Sequence, residues 1–362
     1  MKCFISGLLQ SAEKLAKSSV GGFLSVQQFF TLFGCGLLCS TNYVLIFMQS
    51  NFLYNPYGKF LQEKFGMRVH KVSVHAGFTC PNRDGTVARG GCTYCNIVSF
   101  TPETARPKYS VRDQIDSVIA FMKRRFDAKK FIVYFQPYSN TYAPVEHLEK
   151  LYRDALAHPE VVGLSIGTRP DCINDEKLHM LAELARETFV SLEYGIESVY
   201  DETLRLINRG HDFACTARAF QRTREFGLHV SGHTIIGFPN ETEAQRLASA
   251  AVINELQPDA LKIHHLHVVK HTELARQYAE TPFQVYSFDE WKDFVIRYLE
   301  RLAPEIIIER LYGEAPRDLL IAPHWNLTKG EILLSLEAEM RRRGAFQGRL
   351  LREPVAAHAL TS

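Results

Sequence analysis

From residue 69 onward, short apolar runs alternate with longer stretches whose apolar residues recur every three or four positions. The runs VHKVSVHA (69–76), KFIVYFQP (130–137), VVGLSIGT (161–168), FVSLEYGI (189–196), LHVSGHTIIG (228–237) and ALKIHHLHVV (260–269) predict buried strands. Between them, residues 112–126, 145–158, 175–187, 214–227 and 243–256 carry the spacing of amphipathic helices. Strand and helix in units of about 30 to 35 residues indicate a parallel sheet with crossover helices. Such a series curls into a full or partial barrel, or opens into a doubly wound sheet. The polar residues decide between them, because they cluster just after the strands, at 136–140, 168–171, 193–197 and 237–241. A barrel builds its site from several strand ends in this way. No strand is followed by G-x-G-x-x-G or a phosphate-binding G-x-x-x-x-G-K, so nothing points to a dinucleotide or P-loop site. After Pro304 the pattern gives a strand, a loop and an amphipathic helix that would cap the barrel.

The first fifty residues break the rhythm. No charged residue occurs from Ser18 to Gly58, and the run Phe29–Met48, preceded by Lys2, Lys14 and Lys17, is long enough to cross a bilayer. It also holds Thr, Ser, Asn, Cys and Gly, and Met48 opens a phrase that suits the start of a domain. We therefore read 1–47 as a dispensable apolar extension without stable membrane association, 48–303 as the barrel, and 304–362 as a C-terminal extension.

Charge narrows the partners. With 42 Lys and Arg against 40 Asp and Glu the formal net charge is +2, too little to hold nucleic acid by a global field. Two local clusters stand out: Lys123, Arg124 and Arg125 with Lys129 and Lys130, and Arg341–Arg343 with Arg349 and Arg352. Such groups bind phosphates or simply solvate a helix face. The eight cysteines gather only once, which favours a reducing, cytoplasmic setting and metal chemistry over disulfides. Cys172 and Cys215 are isolated and read as buried thiols.

That gathering is FTCPNRDGTVARGGCTYCN (78–96), with Cys80, Cys92 and Cys95 spaced C-x11-C-x2-C. Three thiolates on a four-iron cluster leave one iron open to an exogenous chelator. Zinc completed by His75 or His70 and coincidental thiols are the alternatives. Gly85, Gly90 and Gly91 would permit a tight enclosing backbone. His264, His265, His267 and His271 crowd the sixth strand, but adjacent positions on a strand take opposite faces, which argues against one joint metal site.

The same loop, with YFQPYSNTY, SIGTRPDCI, SLEYGIESVYDETLRLINRGHD, IIGFPNET, LKIHHLHVVKHTELA and APHWNLTKGE, resembles the radical S-adenosylmethionine (SAM) enzymes. The match, over roughly residues 52 to 348, is similar to their YhcC/YtqA-like branch, related to the catalytic subunit of Elongator. The resemblance implies a partial (β/α)6 TIM-type barrel with a C-terminal capping extension. It implies a [4Fe–4S] cluster on Cys80, Cys92 and Cys95, and SAM on its open iron, cleaved to a 5′-deoxyadenosyl radical that takes hydrogen from substrate. It implies Tyr94 at the adenine edge, Gln136, Ser139 and Asn140 near the SAM amino group, and Arg169 with Asp171 at the mouth. Glu197 and Arg209 would serve the ribose and the SAM carboxylate, His233 the ribose, and Gly237 with Pro239 the adenine. Elongator-type relatives carry Glu where Gly167 stands here, so their amino-group contact must be supplied otherwise. An electron donor of flavodoxin or ferredoxin type is expected. For the substrate, kinship suggests the wobble uridine of tRNA; the alternatives are a small metabolite or a non-enzymatic iron–sulfur or zinc protein.

Overall fold

A computed structural model of the chain describes residues 52–352 apart from 100, 103, 104, 106 and 107. They belong to the second of two units, which divide at Ser50 and Asn51. The extension 1–47 and its apolar run lie outside the described residues. Among the latter, no helix is long and apolar enough to cross a membrane.

Seven parallel strands form one sheet, in chain order from edge to edge. They are β1 (Val69–Val74), β2 (Lys130–Phe135), β3 (Val161–Thr168), β4 (Phe189–Glu197), β5 (His229–Ile236), β6 (Ala260–His265) and, after a two-residue β7 (Val268–Val269), β8 (Ile307–Arg310). The apolar runs became these strands because crossover helices cover their outer face. Thus Ile115 and Ile119, Leu148 and Tyr152, and Phe220 pack with Val72, Val133, Leu164 and Val230 in one buried cluster. The strand from 307 is a seventh member of the sheet, where the sequence had suggested six and a cap. The run 260–269 is also broken. Its last residues leave the sheet at Leu266, and β7 pairs antiparallel with β9 (Leu320–Ala322).

The curl of the sheet follows from one set of contacts. Six strand steps of about 4.8 Å would separate β1 from β8 by roughly 29 Å if the sheet were flat. Yet Lys71 Nζ on β1 lies 2.7 Å from Glu309 Oε2 on β8 and 2.6 Å from Glu193 Oε1 on β4. The sheet is therefore a half-barrel whose first and last strands face each other across a charged interior. Glu193 is also bonded by Lys262 of β6, Ser165 of β3 and His233 of β5, and Ser231 donates to Glu309 at 2.8 Å.

Burial alone would raise the Glu193 carboxyl, but Lys262 and Lys71 beside it hold it well below the usual carboxylate value. Its stabilisation is thus present above about pH 4.5, the ordinary value, and is lost as pH falls through the lower folded value. Glu193→Gln, which leaves two buried lysines short of a counter-charge, should cost about 3–5 kcal/mol at pH 7 in urea unfolding. It should also flatten the loss of stability on acidification; a cost below ~1 kcal/mol would deny the network this role. At the N-terminal edge, Leu53 O accepts from Gln347 N at 3.0 Å and Asn55 O from Ile308 N at 2.7 Å. A chain begun at Met48 should therefore keep its melting temperature, whereas one begun at Tyr57 should melt lower.

Candidate active site

The cysteine loop leaves the C-terminal end of β1. Cys80 stands at the N-cap position of a one-turn helix, Pro81–Asp84, and the chain then reverses through Gly85, Gly90 and Gly91 to Cys92 and Cys95. Gly90 and Gly91 hold φ of 82° and 85°, where a side chain is strained. At Gly91 a Cβ would also sit 2.9 Å from Arg83 Nε. The loop is tied internally by Gly91 N to Asn82 O (2.8 Å), Cys95 N to Cys92 O (2.9 Å) and Arg83 Nη2 to Cys95 O (2.8 Å). Distant elements hold it from outside. Thr93 N donates to Ile207 O and Leu274 N to Thr93 O, at 3.0 and 2.8 Å, while Asn208 Nδ2 and Asn96 Nδ2 bind Gly91 O and Lys270 O.

The three thiols line one wall of a cavity of about 280 Å³ at the C-terminal mouth of the half-barrel. Burial, then the neighbouring Cys92, pushes the Cys95 thiol up to about 11. Without a cation such a thiol keeps its proton, which a bound iron would displace. The cavity also takes in Tyr94, Gln136, Arg169, Glu197, Arg209 and His233. Arg209 is buried, with Nη2 donating to Gly195 O at 2.6 Å, Nη1 3.8 Å from Cys92 Sγ, and Glu197 Oε1 at 3.6 Å. Glu197 reaches it from a left-handed backbone, φ 64°, a strained conformation for a side-chain-bearing residue. Arg169 is gripped bidentately by Asp171 at 2.8 and 2.7 Å and donates to Arg209 O. Arg169 Nη1 and Arg209 Nε are buried without a protein partner. Two cationic donors left open beside three thiols suit an anionic ligand next to a metal cluster.

Of the expected site residues, Asn140, Asp171, Gly237 and Pro239 are outside the cavity lining. Asn140 spends its amide on the carbonyls of Phe135, Pro137 and Gly167 at 2.8–3.1 Å, so it braces the β2 and β3 ends instead of facing the cavity. Gly237, at φ 116°, packs against the Tyr286 ring and is not part of the lining. His233 lines the cavity, but its Nε2 is engaged with Glu193 at 3.0 Å. Neither His70, stacked near Phe126 and Phe131, nor His75, beside Tyr138, lines the cavity with the cysteines. The sequence reading missed Lys262 and Tyr134 in the floor, where Lys262 Nζ lies over the Tyr134 ring, and named Glu193 only as part of the polar strand end 193–197. A lysine or glutamate inside an apolar strand run was the available signal.

The Radical SAM superfamily model matches residues 80–253, and the Radical_SAM C-terminal domain model matches 258–342. YtqA of Bacillus subtilis (strain 168) is 37% identical over 296 residues, 82% of this chain and 92% of its own. The chain belongs to the radical SAM superfamily. A tRNA uridine(34) acetyltransferase of Methanocaldococcus infernus is 28% identical over 164 residues, 44% of this chain and 30% of its own. The solved structure of archaeal Elp3 from the same organism superposes with a TM-score of 0.59 at 19% identity, covering 77% of this chain and 64% of that one, which establishes the shared fold.

For this radical SAM chain the loop geometry yields a direct test. Gly91→Ala should load less than half the wild-type iron and sulfide on anaerobic reconstitution, because the added methyl collides with Arg83, which stands between Cys80 and Cys92 in the loop. Full loading would mean that the loop tolerates a different path.

Proposed function

We propose that Cys80, Cys92 and Cys95 hold a [4Fe–4S] cluster and that the chain cleaves SAM reductively to act on a small substrate bound inside the half-barrel. The observation that carries this reading is the shared cavity, where three thiols meet two buried guanidiniums with unpartnered N–H groups. Cluster and SAM, when bound, supply the reductive cleavage and the 5′-deoxyadenosyl radical that takes a hydrogen atom from substrate. The protein's own residues position and enclose. Arg209 and Arg169 would offer their free N–H groups to the SAM carboxylate, and Glu197 would accept from the ribose hydroxyls. Tyr94, tilted on Phe238 with ring centroids 5.9 Å apart, would close the adenine side against water. Gln136 stands at the β2 end beside Gly167, where relatives carry an acid. An electron donor of flavodoxin or ferredoxin type would reach the cluster in a reducing compartment.

The size of the substrate is argued from charge. Within the basic clusters of the surface, Lys123 pairs with Glu160, Arg342 and Arg343 with Glu339, Arg343 with Asp293 and Arg349 with Glu300. These pairs reduce the cationic surface open to an RNA backbone, while Arg124, Arg125 and Lys130 have no acid partner among the described residues. Modification of the tRNA wobble uridine is the second reading, favoured by the similarity to the tRNA uridine(34) acetyltransferase.

The test uses anaerobically reconstituted protein with SAM and dithionite, reading 5′-deoxyadenosine. We expect formation that falls to background in each of Cys80→Ala, Cys92→Ala and Cys95→Ala; equal formation in any one would overturn the ligand assignment. Stimulation by bulk tRNA, and not by a protein-free small-molecule extract, would replace the first reading by the second.

A further inference from the structure

A second part of the cavity lining is built from β6, its continuation and the end of β8. His264, His265, His267 and Arg310 all line the cavity there. None of them has a role in holding the cluster or SAM in the reading above, and their hydrogen bonds form an ordered chain. Gly313 N donates to His265 Nδ1 at 3.3 Å. A nitrogen that accepts an N–H carries no hydrogen of its own, so the neutral His265 ring carries its proton on Nε2. That Nε2 lies 2.8 Å from His267 Nε2, and one proton serves the contact. His267 Nε2 is therefore the acceptor, and the His267 proton sits on Nδ1, for which no described residue is an acceptor.

Packing fixes both rings. His265 stacks on Trp325 with centroids 3.9 Å apart, and its ring meets His267 at 90°. Trp325 is in turn anchored by its Nε1 donating to Tyr286 O at 2.9 Å. A Cβ at position 313 would lie 2.9 Å from His267 Cε1, so glycine is what lets the imidazole lie there. Burial keeps His265 neutral and pushes His267 down to about 4. The two facing Nε2 atoms leave no room for an ion between them, and among the described residues no third metal-ligating side chain joins this pair in a site for a metal ion. Beside His267, the buried Nε2 of His264 has no partner. Arg310 has no carboxylate within ion-pair distance among the described residues, and Glu314 stands exposed on the same rim, screened by solvent.

We infer that this wall is the substrate-recognition side of the cavity: His267, locked by the positioning residue His265 as a neutral Nδ1–H donor, and Arg310 together receive an oxyanion of the substrate, a carboxylate or a phosphate. A guanidinium supplies the charge and fork geometry for such a group, and a neutral imidazole adds a directed donor. The inference rests on the cavity being the substrate site, as proposed above. It is tested without turnover, so the two fail separately.

Imidazole ¹⁵N spectra of the ¹⁵N-histidine-labelled, cluster-loaded protein at pH 7 should place His267 as the Nδ1–H tautomer and His265 as Nε2–H. His267 found as Nε2–H, or as imidazolium, would overturn the lock. His265→Phe, which keeps the stacking on Trp325 but cannot donate, should mix the two His267 tautomers; an unmixed spectrum would remove His265 from its positioning role. Inorganic phosphate and malonate are then titrated at constant ionic strength against chloride. One of them should move the His267 and His264 signals saturably, and Arg310→Ala should weaken that response at least tenfold. A phosphate preference indicates a phosphorylated substrate, and a malonate preference a carboxylic acid. Shifts no larger than those with chloride would overturn oxyanion recognition. Protein that shows the lock and the binding yet forms no 5′-deoxyadenosine would instead sink the radical reading and leave the wall standing.

Discussion

The interior of this half-barrel is organised by two lysines and two glutamates that no single pair of strands could hold. Lys71 and Lys262 share Glu193 and Glu309; of their strands only β6 and β8 adjoin in the sheet, and the others meet because it curls. Desolvating four charges costs several kcal/mol for each ion, and their attraction offsets this only when every partner is in place. Ser165, Ser231 and His233 take up further oxygen lone pairs of the two carboxylates, which completes the set. Stability alone does not require ions there, since well-packed apolar side chains of the same volume serve a core as well or better. The ions do something apolar groups cannot. They give the cavity a rigid polar floor, made of Lys262 and Glu193, at the level where strand ends present their site residues.

Upon that floor the two walls are not independent. The cysteine loop is tied by its own hydrogen bonds but takes its position from Ile207, Asn208, Lys270 and Leu274. The first two belong to the turn that also presents Arg209, and the other two follow the histidine strand. A loop that looks like a self-contained motif is therefore placed by residues more than a hundred positions away. This explains how Arg209 comes to lie 3.8 Å from Cys92 Sγ, which brings the cofactor-side donors against the thiols.

What could be read from the chain divides along the range of the interactions. Strand β3 and the helix Glu243–Leu256 have the bounds their apolar periodicity suggested, because local pattern and burial agree there. The break at Leu266 was not legible. Apart from Lys262, residues 260–269 are continuously apolar or neutral, and the partner that pulls β7 out of the sheet is Leu320–Ala322. Lys71 lies 122 residues from Glu193 and 238 from Glu309, so in sequence it reads as surface punctuation within a strand. Asn140 misled for the opposite reason. A polar residue at a strand end suits a ligand as well as it suits bare carbonyls, and only the curvature of β2 against β3 shows which it meets.

The chain order ties substrate side to cofactor side. β6 supplies Lys262 to the floor and His264 and His265 to the wall, and the next residues give His267 and then β7. Directly after β7, the Lys270 to Leu274 segment clasps the cysteine loop at Asn96 and Thr93. Lys262 of the floor, the three histidines of the wall and the loop clasp thus lie on one stretch of fifteen residues, anchored at its start by the charged network and along its length by Trp325 and β9. A side chain on such a stretch cannot shift far without moving the clasp. The register between a substrate on the wall and a cofactor on the thiols is therefore set by backbone continuity, and the neutrality of the buried histidines keeps that stretch from acquiring charges the floor does not balance.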